Sequence, residues 1–308
     1  MSAPPTGPSA ATLAAFAGAV VIGGANFVAV KLTVEELAPL WGAGSRFALA
    51  ALLFLVLMAA FRTPLPRGAA LVGAALYGAL GFGVAYALMY YALQGLSVGV
   101  ASVLMATVPL FALALATLQG MERLSARGVL GGALAVAGIA VLSLGTLGGD
   151  VGGRHLVAAL AAPVVVAQSA IVAKRFPRTD PLATNAFGML VGAALLLVGS
   201  AAAGEAWSVP PDAATWAAAA WLVLAGSVGL FWLFLFVVQR WTASATTYAL
   251  PLMPVVAVAL AALLLGDAVG LAEAVGAVLV IAGAYVGAIT AERRDPEAPA
   301  AASSPRVI

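Results

Sequence analysis

Cysteine is absent from the 308-residue chain, and histidine occurs once, at His155. Without thiols there is no disulfide, zinc thiolate or cysteine nucleophile, and a lone imidazole cannot supply a multi-histidine metal site. Charge is almost as scarce. Asp, Glu, Lys and Arg make up 8% of the residues, where a soluble domain carries about 25%. So little charge cannot keep a folded surface in water, and no polar stretch between apolar runs is long enough for a separate aqueous domain. An intramembrane enzyme needs a Ser/His pair, paired aspartates or a His-rich cluster, and the chain offers none of them. Neither catalysis nor a bound cofactor or metal is expected. The first apolar run follows MSAPPTGPSAAT, which has no Lys or Arg and so is unlike a cleavable signal peptide.

What the chain has instead is apolar length. Hydrophobic residues account for 64% of it, and mean hydropathy is +1.10. A bilayer core about 30 Å thick is crossed by about 20 apolar residues in a helix. Ten runs meet or approach that length, at 12–30, 40–61, 69–91, 97–118, 127–146, 155–173, 182–203, 214–238, 243–265 and 270–290. They are too long and continuous for barrel strands, and an open sheet would leave backbone groups unpaired in hydrocarbon. The pattern predicts an all-α integral membrane protein with ten transmembrane helices.

Lys and Arg indicate its orientation. With the N-terminus in the cytoplasm, Arg62, Arg67, Arg123, Arg127, Lys174, Arg175, Arg178 and Arg240 fall in cytoplasmic loops, and Arg293, Arg294 and Arg306 in the tail. The external loops hold Lys31 and Arg154. A multi-pass protein of the bacterial inner membrane with both termini cytoplasmic is expected. This placement accounts for a net charge of +2 and a pI near 9.2 without a nucleic-acid partner. Residues 291–308, rich in Pro, Ala and charge, read as a disordered cytoplasmic tail.

The chain also repeats itself. Pro109 and Pro254 are 254 − 109 = 145 residues apart. The same offset, without a gap, superposes Gly81 on Gly226, Gln94 on Gln239, Glu122 on Asp267, Gly131 on Gly276 and Gly138 on Gly283. Five helices per half is an odd number, so the second half, 147–290, must lie upside down relative to the first, 1–146. Inverted-topology repeats are typical of secondary transporters, which bind substrate near the membrane midplane between the halves.

Several segments carry a family resemblance: 26-NFVAVKL-32, 45-SRFALAALLFL-55, 99-GVASVLMATVPLFALALA-116, and 122-ERLSARGVLGGALAVAGIAVL-142 with its counterpart 267-DAVGLAEAVGAVLVIAGAYVG-287. The chain resembles the drug/metabolite transporter superfamily in its ten-helix EamA branch, from residue 12 to 290. Within it, the chain is most similar to bacterial amino-acid and metabolite exporters. The resemblance implies two inverted five-helix repeats working by alternating access. The expected cargo is a small neutral metabolite, an amino acid including aromatic or apolar ones, with a multidrug or cationic-compound extruder as the alternative. Small multidrug pumps rely on a membrane-embedded glutamate, and no acidic residue falls at mid-membrane here; Glu273 comes nearest.

Polar residues inside membrane segments are expensive and therefore candidates for function. Asn26 is either a substrate ligand or helix–helix glue; Gln168 and Ser169 are its approximate repeat partners. Arg46 lies within the second helix, where it can snorkel outward or attract a carboxylate; it is assigned a structural or gating role. Phe82, Tyr86, Met89 and Tyr90 share one face of the third helix at spacings of i, i+4, i+7 and i+8. Phe231 and Trp232 in helix eight and Tyr248 in helix nine complete a predicted aromatic substrate-binding wall, which can equally be packing or an interfacial belt. Pro109, Pro251 and Pro254 are expected to kink their helices and act as hinges. Gly128/Gly132, Gly266/Gly270 and Gly283/Gly287 are spaced for close helix contact and permit a homodimer as well as a monomer. The expected partners are thus a small-molecule substrate and the lipid bilayer.

Overall fold

A computed structural model describes residues 9–121, 126–146, 152–177, 179–240, 249–267 and 269–286. Ten helical stretches cross the bundle among them. In chain order, α1 is Ala10–Glu36 and α2 is Pro39–Phe61. The third, α3, runs through Ala69–Gly78, a π-helical turn Ala79–Val84, and Ala85–Gly95; α4 comprises Val98–Met105 and Val108–Leu118. They are followed by α5 (Ala126–Thr146), α6 (Gly152–Arg175) and α7 (Pro181–Ala202). The eighth, α8, again has three parts, Ala213–Val223, a π-helical turn Leu224–Gly229, and Leu230–Arg240; α9 is Ala249–Leu264 and α10 Leu271–Ala284. Seven of these stretches are long and apolar enough to span a bilayer within the described residues, and three are shorter. Tyr248 and the tail 291–308 lie outside the described residues.

Local chemistry starts and stops the helices where the turns demand. Ser9, Ser97, Asp180 and Asp212 accept hydrogen bonds from the first free backbone N–H groups of α1, α4, α7 and α8, the usual N-cap arrangement. The Asp212 carboxyl is held below its ordinary range chiefly by the Thr215 N–H. Proline occupies the first helical position of α2 and α7, where its missing N–H costs nothing. Leu96 and Ser97 alone separate α3 from α4, because Leu96 is extended and Ser97 caps the next helix. Pro109 cannot donate to the Met105 carbonyl, and α4 is interrupted at Ala106–Thr107, one turn before it. The Thr107 hydroxyl donates to the Leu104 carbonyl at 2.6 Å. Pro254 and Pro163 instead sit inside continuous helices, and Pro251 lies in the first turn of α9.

The repeat is written into the packing. Three pairs of repeat mates pack on each other, α2 on α7, α5 on α10 and α4 on α9. The other principal contacts occur in mirrored pairs: α1 on α9 matches α6 on α4, and α1 on α8 matches α6 on α3. A pseudo-twofold axis therefore runs between α2 and α7 and between α5 and α10. The two π-helical turns obey the same offset, since 224 − 79 = 145 and 229 − 84 = 145. Apolar side chains that face outward, such as Leu52, Val136, Val198 and Leu271, form a surface that water would penalise and lipid accepts.

Glycine decides how closely the axis helices approach. A Cβ on Gly138 would stand 2.7 Å from the Gly276 carbonyl oxygen, and one on Gly283 would stand 2.5 Å from that of Gly131. These two contacts exchange under the repeat. The close approach thus uses Gly131, Gly138, Gly276 and Gly283 rather than the Gly128/Gly132 pair, since Gly132 faces open space. Gly266 sits in the α9–α10 turn with φ +71, outside any helix. Without hydrophobic driving force between helices in lipid, such backbone contact is a main source of association. Gly283→Leu is expected to destabilise the chain by about 1–3 kcal/mol, the cost of overpacking a filled core, read as a lowered thermal midpoint in detergent. An unchanged midpoint would mean that α10 does not bear on α5 as described.

Candidate functional site

The π-helical turn in α8 builds the site. In an α-helix the Leu230 N–H would bond to the Gly226 carbonyl, four residues earlier. Here it reaches Ala225 and Ser227 instead, and Gly226 accepts from side chains. Asn26 Nδ2 of α1 donates to it at 3.3 Å, and Arg46 Nη2 of α2 at 3.4 Å. The Ser227 hydroxyl donates to the Leu222 carbonyl at 2.9 Å and accepts from Arg46 Nε at 3.4 Å. Arg46 Nη1 donates to the Tyr90 hydroxyl at 3.5 Å. One backbone oxygen thus ties three helices together. The Asn26 amide oxygen is buried and has no hydrogen-bond partner.

Arg46 is 4% exposed, and rings surround it. Its guanidinium carbon lies 5.1 Å from the Phe47 ring centre and 5.4 Å from that of Tyr86, within cation–π range. Phe47 meets Tyr86 edge-on at 4.6 Å and Phe82 at 5.2 Å. Next to this cluster is a cavity of about 190 Å³, whose walls include Asn26, Arg46, Tyr86, Met89, Ser102 and Met253. It touches α1, α2, α3, α4, α6, α8 and α9, so both halves contribute. A larger hollow of about 250 Å³ lies between α4, α9 and α10. Its walls are apolar apart from Ser97 and Asp267, one of whose carboxylate oxygens is buried without a partner. The smaller cavity is where polar groups from several helices converge, and that makes it the better candidate for a solute.

A family-model comparison covers both halves of the chain. The model of the EamA-like transporter family matches residues 10–144 and again 154–288. The chain belongs to this family. Among curated relatives it is similar to YedA of Escherichia coli K12, an uncharacterized inner membrane transporter, at 32% identity over 247 residues, 78% of each chain. The YedA proteins of E. coli O6:H1 and O157:H7 match equally. A solved crystal structure of a protein 20% identical to it superposes with TM-score 0.65, over 92% of this chain and 99% of that one; at that identity it shows a shared fold.

Within this EamA-family fold, the residues singled out from the sequence divide into three groups. Asn26, Arg46, Tyr86, Met89 and Pro254 line the smaller cavity. Phe82 and Tyr90 stand behind it: Phe82 packs against Phe47, Tyr77 and Gly192, while Tyr90 is fully buried and holds the guanidinium. The rest are elsewhere. Gln168 accepts a hydrogen bond from Gln119 Nε2 at 2.9 Å, Phe231 meets Phe54 edge-on at 5.1 Å, and Trp232 is 44% exposed beside Phe61. Pro109 sits past the break in α4.

The mate of Asn26 under the repeat is Ser169 rather than Gln168, because Asn26 abuts Gly226 and Ser169 abuts Gly81. Ser227 and Ser102 were not singled out from the sequence. The Gly226–Ser227 pair inside an apolar helix was the available signal for the first. Lys31 pairs with Glu35 at 3.8 Å. Its ammonium also donates to the Leu93 carbonyl at 2.9 Å, which places a cation at the C-terminal end of α3.

Tyr86→Ala removes a cavity wall and a ring contact worth about 1–2 kcal/mol. It is expected to shift the relative transport of aromatic and aliphatic solutes about tenfold in proteoliposomes, while Trp232→Ala leaves that ratio unchanged. A Tyr86→Ala protein with wild-type preference would remove Tyr86 from the pathway.

Proposed function

We propose that this EamA-family protein is a secondary transporter that exports small neutral metabolites, amino acids including aromatic or apolar ones, across the bacterial inner membrane. The observation that carries the reading is the cavity shared by the two halves, with Tyr86, Met89 and Met253 for apolar contact and Asn26, Ser102 and Arg46 for polar contact. An aromatic and thioether wall suits an apolar side chain, and the few convergent polar groups suit a backbone-like head. Alternating access proceeds by exchange of two similar packings of the related halves, with the π-helical turns and the broken α4 as the places where helices yield. Both termini are cytoplasmic, in keeping with the distribution of Lys and Arg.

Counterflow in proteoliposomes tests the carrier. Vesicles containing the purified chain and preloaded with neutral amino acids are expected to accumulate a labelled one without an imposed ion gradient. Silence for all of them, with transport of lipophilic cations, would establish the drug-extruder alternative. Orientation is tested separately on the naturally cysteine-free chain. In intact cells a membrane-impermeant maleimide is expected to label Val209→Cys and to reach Leu65→Cys only after permeabilisation. The reverse pattern would invert the topology.

A further inference from the structure

Among the described residues, Arg46 is a buried cation without an acidic neighbour. Among the described residues the ion pair is Lys31 with Glu35, and the groups that receive the Arg46 N–H donors are neutral: a serine hydroxyl, a tyrosine hydroxyl and a backbone carbonyl. Those three bonds measure 3.4 to 3.5 Å, beyond the usual range of about 2.7–3.2 Å. A charge taken out of water is normally paired with an opposite one. Here the guanidinium is held loosely by neutral groups, and its side chain forms part of a cavity wall.

The architecture does not require this charge. The inverted counterpart of α2 is α7, and no charged residue occurs between Pro181 and Ala202. It packs against the π-helical turn of α3 through Gly188 and Gly192, as α2 packs against that of α8. The offset that relates the two turns places Phe82 opposite Ser227 and Leu235 opposite Tyr90. At these two positions the second copy of the same scaffold therefore carries apolar residues. A purely structural arginine would have no reason to be confined to one half.

We propose that Arg46 is the specificity-determining anchor for a carboxylate on the transported solute. This rests on the reading of the cavity as the substrate site, and narrows the substrate class to carboxylate-bearing solutes, zwitterionic amino acids foremost. A guanidinium presents parallel N–H donors that match a carboxylate in two-pronged fashion. A carboxylate supplies the missing counter-charge and replaces long bonds to neutral oxygens. The Asn26 amide donates to the Gly226 carbonyl that Arg46 also contacts, so the guanidinium is tied to a second polar group of the cavity wall. An α-amino acid presents its two charges one carbon apart. An isolated cationic drug would meet a like charge in the wall.

The experiment is competition in counterflow with labelled L-phenylalanine, L-leucine and L-threonine and the wild-type chain in proteoliposomes. The competitors are each amino acid, its carboxamide, its decarboxylated amine and its desamino acid. The carboxamide and the amine are expected to compete at least about tenfold more weakly than the parent, the loss of about one charge-assisted hydrogen-bond pair. Arg46→Gln is expected to abolish counterflow, and Arg46→Lys to restore it in part with a raised KM. Equal competition by acid and carboxamide in the wild type would overturn the carboxylate anchor while the carrier reading stands. That comparison decides the matter even if Arg46→Gln fails to fold. Full transport by a folded Arg46→Gln protein would overturn it too. Transport of desamino acids but of no amino acid would keep Arg46 as the anchor and remove the amino-acid reading. Transport of lipophilic amines alone would sink both.

Discussion

Inside hydrocarbon every backbone N–H and C=O must find its partner within the protein, and the carbonyl of Gly226 is where this chain meets that demand in an unusual way. The π-helical turn takes the Leu230 N–H away from it. Side chains from α1 and α2 replace that donor, so satisfying one oxygen fixes two helices against a third. The position must be glycine, because a Cβ there would occupy the space of the Asn26 amide. The guanidinium is held in the cavity wall by the same bond. Loss of the π-helical turn would return Gly226 to the helical ladder and leave Arg46 and Asn26 without the acceptor that positions them.

The rest of the molecule separates a symmetric scaffold from an asymmetric chemistry. Both halves carry a π-helical turn at matching positions, both place a small polar residue of the first or sixth helix against a glycine in that turn, and both bring glycine backbones together at the α5–α10 crossing. Symmetry of this kind would allow two similar packings, as the proposed alternating access requires. Among the described residues, the polar cluster of Arg46, Ser227 and Tyr90 occurs once.

The apolar composition of the chain made the membrane fold legible. Hydrocarbon permits few structures, so runs of suitable length become helices with little ambiguity. The ungapped offset of 145 was equally readable, because Gly, Pro and Gln matches in register are rare by chance. Their structural meaning followed: Gly138 and Gly283 exchange places across the axis. The bilayer also made Asn26, Arg46, Tyr86 and Met89 visible as candidates, since polar and aromatic groups within a span stand out against the aliphatic background.

The direction in which side chains point was not legible. Helical periodicity put Phe82, Tyr86, Met89 and Tyr90 on one face, yet that face is wide enough for Tyr86 and Met89 to reach the cavity while Tyr90 supports the guanidinium from behind. Phe231 and Trp232 are adjacent in sequence, and a step of about 100° around the helix sends one inward to Phe54 and the other outward to Phe61. Composition, hydropathy and repeat spacing by themselves determined the solvent, the number of helices and the inversion of the halves, because those follow from chain-local free energies of transfer. The π-helical register shift that frees Gly226 and the convergence of α1, α2 and α8 on its oxygen were decided by tertiary structure, because they depend on contacts between residues up to 200 positions apart.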